Sequence, residues 1–255
     1  MSKLNRYKNK IILIAGPTAS GKSKIALSLA EKLKGEIINS DSMQVYKEIS
    51  ILTARPSKKD LKKIKHHLYG ITSVKKSYSV GDWYKQVKKK IKIIKKRGKV
   101  PILVGGTGLY FNAVTKGLSK IPIIEEKKRM KIRDLYLKLG KKAFYKKLLL
   151  LDPKSKNKIL LTDTQRAIRA YEVKKFTTKS IYDWAKNTKS EFENDNLVKI
   201  YIDIPREKLL KRIYLRTSKI INKKCFSEVK KLLKLNLKKS LSANKIIGIR
   251  EINDY

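Results

Sequence analysis

Short apolar runs alternate with amphipathic segments along the first half of the chain. Three of these runs predict buried strands, at residues 11–15, 36–39 and 100–104. Helices are predicted between them, at about residues 22–34 and 80–98. On the first of these helices Ile25, Leu29 and Leu33 share one face, since they are spaced four residues apart. Strands that alternate with helices in this way are typical of an α/β fold with a parallel sheet.

The pattern changes between residues 119 and 197, where helical spacing of apolar residues replaces strands. Strict alternation over residues 198–204 then predicts a further strand, which returns the chain to the sheet. Helices are predicted again after that strand. We therefore expect a core domain of residues 1–118 and 198–255, interrupted by a helical insertion of residues 119–197.

The segment between the first strand and the first helix has the spacing of a P-loop, a glycine followed after four residues by Gly-Lys-Ser. Its residues are Gly16, Pro17, Thr18, Ala19, Ser20, Gly21, Lys22 and Ser23. Glycines let backbone N–H groups turn toward an anion, and the helix N-terminus adds the positive end of its dipole. Lys22 adds a charge, and Ser23 has a hydroxyl suited to Mg²⁺. The segment predicts a site for a diphosphate or triphosphate, with a chance glycine loop as the alternative. A P-loop alone leaves the reaction open.

Two more polar segments follow predicted strands, at the edge where open α/β sheets bind ligands. Asp41 follows the second strand, and its position is compatible with a metal ligand, a general base or a cap for a following helix. Gly105 and Gly106 follow the third strand and permit close backbone approach, and Thr107 offers a hydroxyl to a phosphate or a base. A plain tight turn would explain the same glycines. Residues 43–56 have little periodicity, which is typical of a binding loop.

Arginines on the predicted helices are candidate ligands for phosphates and base edges. In the insertion, Gln165 and Arg169 lie four residues apart on one face, with Arg166 alongside. On the helix after the last strand, Arg216 is a candidate clamp over transferring phosphates. An ordinary solvated helix face is the alternative explanation for each of these arginines.

Basic residues greatly outnumber acidic ones. The 255 residues include 64 Lys and Arg against 21 Asp and Glu, which gives a formal charge of +43. The natural partner of such a surface is a polyanion, and nucleic acid is the leading candidate. Only 11 of the 64 basic residues are Arg, and Lys is spread through nearly every segment. A compositional preference for Lys is therefore the competing explanation.

Other chemistry is limited by what the sequence contains. The single cysteine, Cys225, excludes an internal disulfide and a multi-cysteine zinc site. The adjacent His66 and His67 point to different sides of an element, so they are structural or substrate-orienting residues and do not form a two-histidine metal site. No apolar run approaches the roughly 18 residues of a membrane span. We therefore expect a cytoplasmic protein without a membrane partner.

Taken together, the ordered motifs resemble those of the tRNA dimethylallyltransferases, also called tRNA isopentenyltransferases. The matching residues, in the family's order, are 16–23, 41–46, 53–56, 66–68, 105–110, 165–166 with 169, and 247–251. They span nearly the whole chain, and their joint occurrence is far more specific than a P-loop alone. The resemblance implies a P-loop NTPase-like parallel sheet flanked by helices, with a helical insertion. It also implies transfer of a dimethylallyl group from dimethylallyl diphosphate to the exocyclic amine of the adenine beside the anticodon of tRNA, with release of diphosphate.

The resemblance also implies roles for individual residues. Residues 16–23 would hold the diphosphate, with Mg²⁺ bound through Ser23. Asp41 would be the general base, and Thr107 and Arg216 would steady the reacting groups. The anticodon stem-loop of tRNA would be contacted by Asp41, Ser42, Met43, Gln44, Thr107, Arg129, Gln165, Arg166, Ala167, Ile168 and Arg169. A monomeric enzyme is expected.

Two departures from the family pattern stand out. Leu52 occupies the position where the family usually has Gly before Thr-Ala, which implies a small shift of that loop. The chain also ends at Tyr255, soon after Arg250 and Glu251, before the closing basic-aromatic helix of the family, which implies a shortened C-terminus. Three alternatives stay open at this point: a small-molecule P-loop kinase, an RNA-binding protein without catalysis, and an adenylate isopentenyltransferase acting on free nucleotides. The basic insertion disfavours the last of these.

Overall fold

The computed structural model describes residues 5–238 and 241–254. Its five parallel strands form one sheet in the order β3-β2-β4-β1-β5. The strands are β1 (Ile11–Ala15), β2 (Gly35–Asn39), β3 (His66–His67), β4 (Val100–Val104) and β5 (Leu197–Tyr201). The P-loop follows β1, so the predicted P-loop NTPase-like α/β fold is confirmed. The last strand is shorter than predicted. It ends at Tyr201, which pairs with Ala15, because β1 also ends at that residue.

Ten helices lie within the described residues. They are α1 (Lys22–Lys32), α2 (Lys58–Lys63), α3 (Val80–Lys96), α4 (Gly108–Lys116), α5 (Glu126–Leu151), α6 (Thr164–Thr177), α7 (Ile181–Lys186), α8 (Arg206–Ile220), α9 (Lys223–Leu233) and α10 (Ile249–Asn253). Helix α5 is interrupted at Gly140, where φ is 70°. The helix predicted over residues 227–239 begins earlier, at Lys223, where the Asn222 side chain caps it. Helix α2 has no apolar face, and the Ser57 and Asp60 capping box defines its start.

The chain divides into two compact units. The first comprises the described residues up to Thr115 and those from Glu191 onward, and the second is Lys116–Ser190. The predicted insertion ended at residue 197, beyond the end of the second unit. Residues 191–197 belong to the first unit: Glu191 Oε1 lies 2.5 Å from Lys88 Nζ of α3, and Leu197 pairs with Ile11 of β1.

Small residues bring α1 close to the sheet. Ala26 and Ala30 are buried completely or nearly so, in a cluster that includes residues of β1, β2 and β4. The predicted apolar face was only partly right, because Leu29 and Leu33 pack beside this cluster while Ile25 is 38% exposed. The close approach places the N-terminus of α1, and therefore the P-loop, directly at the carboxyl edge of the sheet.

A second cluster lies beyond the carboxyl end of β2. Its buried members come from the segment after β2, from Val74 and from the C-terminal helices; they are Val45, Tyr46, Ile49, Val74, Val229, Leu232, Ala243, Ile246 and Ile249. The segment 43–56, predicted as an irregular binding loop, therefore has an apolar core of its own. The second unit has a separate core, centred on Phe144, Leu148 and Tyr171 of α5 and α6.

A buried carboxylate explains one of the two adjacent histidines. Glu36, near the amino end of β2, is 1% exposed and accepts a hydrogen bond of 2.6 Å from His67 Nε2. Arg97 Nη2 and Lys99 Nζ lie 2.7 and 3.2 Å from its oxygens. Burial opposes ionisation of Glu36, but the hydrogen bonds from His67 and Lys99 and the charge of Arg97 outweigh it and lower the pKa of this carboxyl. His67 is thus part of a structural cluster.

Candidate active site

The P-loop is shaped by backbone conformations that favour glycine. A Cβ on Gly16 would lie 2.8 Å from the carbonyl oxygen of Ile202, so this residue passes directly beside the chain that leaves β5. Ala19 and Gly21 have φ of 61° and 92°, in the left-handed region. Gly21 is the N-cap residue that precedes α1, and no side chain caps this helix. The N–H groups of the first turn are therefore available to an anion.

Lys22 lies over this loop. Its Nζ donates to the Pro17 carbonyl oxygen at 2.5 Å and lies 3.5 Å from Ser20 Oγ. Burial lowers the pKa of Lys22, the negative charge of Asp41 opposes that shift, and the positive charge of Arg216 adds to it. Asp41 and Arg216 are therefore each close enough to act electrostatically on Lys22. Ser23, the predicted Mg²⁺ ligand, is exposed in the first turn of α1.

Arg216 differs from its neighbour on α8. Arg212, one turn earlier, is exposed, whereas Arg216 is half-buried and acts on Lys22. No ion pair of Arg216 with an acidic side chain is present in the described part of the chain. Its guanidinium therefore stays available to an anion at the P-loop.

Asp41 stabilises a turn. Residues 42–57 contain no helix, so the interpretation of Asp41 as a helix cap is wrong. Its Oδ1 accepts the backbone N–H of Met43 at 2.9 Å. Its Oδ2 receives no hydrogen bond from residues 5–238 or 241–254, which leaves this oxygen able to accept a proton from a ligand.

The glycine loop after β4 lies directly against the Asp41 turn. Thr107 Oγ1 accepts the backbone N–H of Ser42 at 2.9 Å, and the Thr107 N–H donates to the Ser40 carbonyl at 3.2 Å. A Cβ on Gly105 would lie 2.1 Å from the carbonyl carbon and oxygen of Ser40. Gly105 therefore permits close packing of two loops, and a plain tight turn alone would not require this close approach. Gly106 is exposed, and a Cβ there would lie 4.0 Å from Asp41 Oδ2.

Sequence reasoning missed Asn39, the last residue of β2. Its fully buried side chain accepts the Asp41 N–H at 2.8 Å and donates to the carbonyl oxygens of Asp41 and Leu68, at 2.9 and 3.1 Å. Trp83 of α3 donates to the Asn39 carbonyl at 2.8 Å and stacks on Tyr110. Asn39 thus fixes both backbone polar groups of Asp41. The sequence signal was an amide side chain at the end of a buried strand, two residues before a carboxylate.

Gln44 is held by the loop of the Thr-Ala-Arg-Pro motif. Its Nε2 donates to the carbonyl oxygens of Thr53 and Ala54 at 2.8 and 3.2 Å. Both amide protons are therefore used within the protein, and the acceptor Oε1 is the part of the amide left for a ligand. Leu52, which departs from the family pattern, fills the space beside Gly248, where a Cβ would lie 2.8 Å from Leu52 Cδ1.

In the second unit, α6 exposes some of the predicted RNA ligands and buries others. Gln165 and Arg166 are exposed, and Arg169 is half-buried. Ala167 is 4% exposed and lies in the core of this unit, and Ile168 packs against the same core. The side chains that α6 presents to solvent are therefore the polar ones.

A buried carboxylate joins two predicted RNA-binding arginines within this unit. Glu172 Oε2 lies 3.5 Å from Arg129 Nε of α5 and 3.3 Å from Arg169 Nη1 of α6. The Glu172 side chain is 2% exposed, whereas Arg129 and Arg169 are 42% and 38% exposed. One carboxylate therefore holds the inner edges of two guanidiniums whose outer edges face solvent.

We expect Glu172→Gln to destabilise the protein. The substitution leaves two guanidiniums beside a neutral amide, and because both are partly exposed the loss should be about 1–2 kcal/mol, less than for a fully buried pair. Chemical denaturation of purified protein measures it. Glu125→Gln is the matched control, since Glu125 is 68% exposed in its pair with Lys128 and should change stability by less than about 0.5 kcal/mol. Equal effects of the two substitutions would contradict this account of Glu172.

Comparison with known proteins places the chain in a family. The family model described as IPP transferase matches residues 44–255. The chain belongs to the IPP transferase family. A tRNA dimethylallyltransferase of Pelagibacter ubique is 56% identical over 247 residues, 97% of this chain and 79% of that protein. A tRNA dimethylallyltransferase of Rickettsia felis is 41% identical over 249 residues, 97% of this chain and 81% of its own length.

Solved structures of similar proteins agree with this assignment to the IPP transferases. The full-length tRNA isopentenylpyrophosphate transferase of Bacillus halodurans matches with a TM-score of 0.64 and 33% identity, over 97% of this chain and 77% of that one. A eukaryotic dimethylallyltransferase captured acting on tRNA matches with a TM-score of 0.77 and 28% identity, over 92% of this chain and 58% of that one. The described part of this IPP transferase has no helix that is both long and apolar enough to cross a membrane.

Proposed function

We propose that this protein transfers the dimethylallyl group of dimethylallyl diphosphate to the exocyclic amine of the adenine beside the anticodon of tRNA, releasing diphosphate. The observation that carries the proposal is the arrangement at the carboxyl edge of the sheet. The first turn of α1 has no side-chain cap, Lys22 of that turn is influenced by the charge of Asp41, and Asp41 Oδ2 accepts no hydrogen bond from the described residues. An anion site beside an available carboxylate suits attack by a nitrogen nucleophile on a carbon that bears a diphosphate.

The P-loop would hold the diphosphate of the donor. Its glycine conformations direct backbone N–H groups toward the anion, and Lys22 and Arg216 add two positive charges. Negative charge grows on the diphosphate as the bond from carbon to oxygen breaks. Fixed donors and cations at that position stabilise the transition state more than the ground state.

Asp41 would accept the proton of the amine. The exocyclic nitrogen of adenine is a weak nucleophile because its lone pair is delocalised into the ring, so removal of its proton during attack accelerates the reaction. Oδ1 is held by the Met43 N–H and the backbone of Asp41 is held by Asn39, which leaves Oδ2 as the basic atom. Thr107 accepts the Ser42 N–H and so helps to fix the turn that carries Asp41.

The residues at the P-loop fit a role for Mg²⁺. Residues 5–238 and 241–254 contain no cluster of three or more His, Cys, Asp or Glu side chains that would build an all-protein metal site. Mg²⁺ commonly takes only one or two protein ligands and completes its shell with water and substrate phosphates. The exposed hydroxyl of Ser23 would be such a ligand. When bound there, the ion would supply further neutralisation of the leaving diphosphate.

The tRNA would be bound by two sets of residues. The Asp41–Gln44 turn would contact the target base, which must leave its stack in the anticodon loop to reach a carboxylate. On the second unit, Arg129, Gln165, Arg166 and Arg169 would bind the stem-loop, since arginines and amides bind phosphates and base edges. The large positive charge of the chain would add non-specific attraction.

An RNA substitution tests the proposed function. Purified protein is incubated with Mg²⁺, carbon-labelled dimethylallyl diphosphate and AMP, together with one of two unmodified anticodon stem-loops, which differ only in having adenine or guanine at the target position. We expect label on the adenine RNA and at most background on the guanine RNA. Binding of both RNAs without labelling would favour a non-catalytic RNA-binding protein. Labelling of free AMP in place of RNA would favour an adenylate isopentenyltransferase.

A further inference from the structure

Glu228 of α9 forms a compact set of hydrogen bonds with a loop that is distant in sequence. Its carboxylate accepts the backbone N–H groups of Ser50 at 2.6 Å, Ile51 at 2.9 Å and Leu52 at 3.0 Å. The Ser50 hydroxyl adds a fourth donor at 3.0 Å. Three successive N–H groups that converge on one anion form a nest. The conformation of this loop therefore depends on a negative charge supplied by the C-terminal part of the chain.

The helix that carries Glu228 is itself firmly held. Val229 and Leu232 of α9 are buried in the cluster beyond β2, together with Val45, Tyr46 and Ile49 from the same segment as the nest. The hydrogen bonds of Glu228 thus lie beside the apolar packing of α9 against the segment after β2. Apolar packing brings the two segments together, and the directional hydrogen bonds of Glu228 define the path of the loop.

The nest continues directly into the residues that hold Gln44. Thr53 and Ala54, which follow Leu52, accept both amide protons of Gln44 through their carbonyl oxygens. A shift of the nest would therefore move the acceptors of the Gln44 amide. Gln44 in turn belongs to the turn of residues 41–44 that carries Asp41.

We propose that Glu228 is a positioning residue for tRNA recognition: it fixes the loop of residues 50–54 and, through that loop, the orientation of the Gln44 amide. This inference rests on the proposed function, in which Gln44 contacts the RNA. With Glu228 in place, the donors of Gln44 point into the protein and Oε1 is presented to the RNA. Without the carboxylate the nest loses its anion, and the amide is free to turn.

The substitution Glu228→Gln tests this role. The variant keeps the size of the side chain but loses its charge and places an N–H₂ group against backbone donors. We expect the KM for tRNA to rise roughly tenfold, the size expected when charge-assisted hydrogen bonds are lost. The kcat and the KM for dimethylallyl diphosphate should stay within about twofold of wild type, because the P-loop lies on other elements. Equal changes in both KM values would overturn the proposal.

A double-mutant cycle with Gln44→Ala separates positioning from a general structural effect. If Glu228 acts through Gln44, the two substitutions together should raise the KM for tRNA little more than the larger single effect. Additive effects would overturn the proposal. Glu251→Gln is the matched control for loss of a carboxylate that accepts a backbone N–H: Glu251 accepts the Gly248 N–H at 2.9 Å, and within the described residues it forms no hydrogen bond with residues 50–54. This control should leave the KM for tRNA unchanged.

Two further measurements keep the proposal testable. Ser50→Ala removes one donor and leaves the carboxylate in place, so it should raise the KM for tRNA about twofold to threefold even if Glu228→Gln fails to fold. A wild-type KM would overturn the proposal.

Equilibrium binding of unmodified anticodon stem-loop needs no turnover. Weaker RNA binding by the Ser50 and Glu228 variants would support the positioning role of Glu228 even if the wild-type protein transfers no dimethylallyl group. If both variants transfer the group and bind RNA as the wild type does, the positioning role is refuted while the proposed function stands.

Discussion

Asp41→Asn is expected to lower kcat by about 10²–10⁴-fold, the usual contribution of a positioned general base. The amide keeps an oxygen that can accept the Met43 N–H, and Asn39 still holds the backbone of residue 41, so the turn should survive. What disappears is the proton-accepting Oδ2. Single-turnover transfer from labelled dimethylallyl diphosphate to tRNA measures the chemical step directly.

Binding should survive the same substitution. The affinities for tRNA and for the donor are expected to stay within about threefold of wild type, because the removed atom acts mainly in the transition state. Asp60→Asn is a suitable control, since Asp60 caps α2 and should leave kcat unchanged. A wild-type rate in Asp41→Asn would show that another group accepts the proton.

Gly105→Ala is expected to reduce both stability and turnover. A Cβ at this position would lie 2.1 Å from the carbonyl group of Ser40 and 2.7 Å from the Asp41 nitrogen, and backbone atoms cannot move aside as a flexible side chain can. Relief of the clash should cost about 1–3 kcal/mol of stability. It should also displace Asp41, and a displacement approaching 1 Å can lower the rate about 100-fold. Denaturation and single-turnover rates measure the two effects.

Gly106→Ala is the matched control for this prediction. The neighbouring glycine is exposed, and its added methyl group would meet nothing closer than Asp41 Oδ2, at 4.0 Å. Its stability should stay within about 0.5 kcal/mol of wild type. If Gly105→Ala were as stable and as active as Gly106→Ala, the close packing of the two loops would not be what positions Asp41.

Much of the sheet edge could be predicted because its information is local. The apolar runs at residues 11–15 and 100–104 have the pattern of buried parallel strands, and the glycines that follow them indicate backbone near a ligand. The P-loop has a spacing that works only between a strand and a helix, so the sequence predicts the order of these elements, which the structure confirms, and a phosphate site, which stays a prediction.

What escaped prediction depends on contacts between distant segments. Trp83 and Glu228 lie far along the chain from the backbone groups that they bind, and nothing in their local sequence indicates that they hold Asn39 or the loop after β2. On α1, a period of four favoured Ile25, yet the sheet approaches so closely that Ala26 and Ala30 form the contact. The burial of Ala167, which was expected to contact tRNA, also depends on a contact between distant segments, because the core of the second unit determines which side of α6 is buried.

The transfer reaction itself offers the most direct test of the central claim, that the P-loop holds the diphosphate of an isoprenoid donor while Asp41 faces a nucleobase. Wild-type protein is incubated with tRNA, Mg²⁺, unlabelled ATP and dimethylallyl diphosphate labelled either in its isoprenoid carbons or in its phosphorus, and a parallel reaction contains ATP labelled in its terminal phosphate. The account predicts carbon label on the tRNA, phosphorus label in free diphosphate, and ATP unchanged. Transfer of the terminal phosphate of ATP to any acceptor, with no carbon label on the RNA, would contradict it.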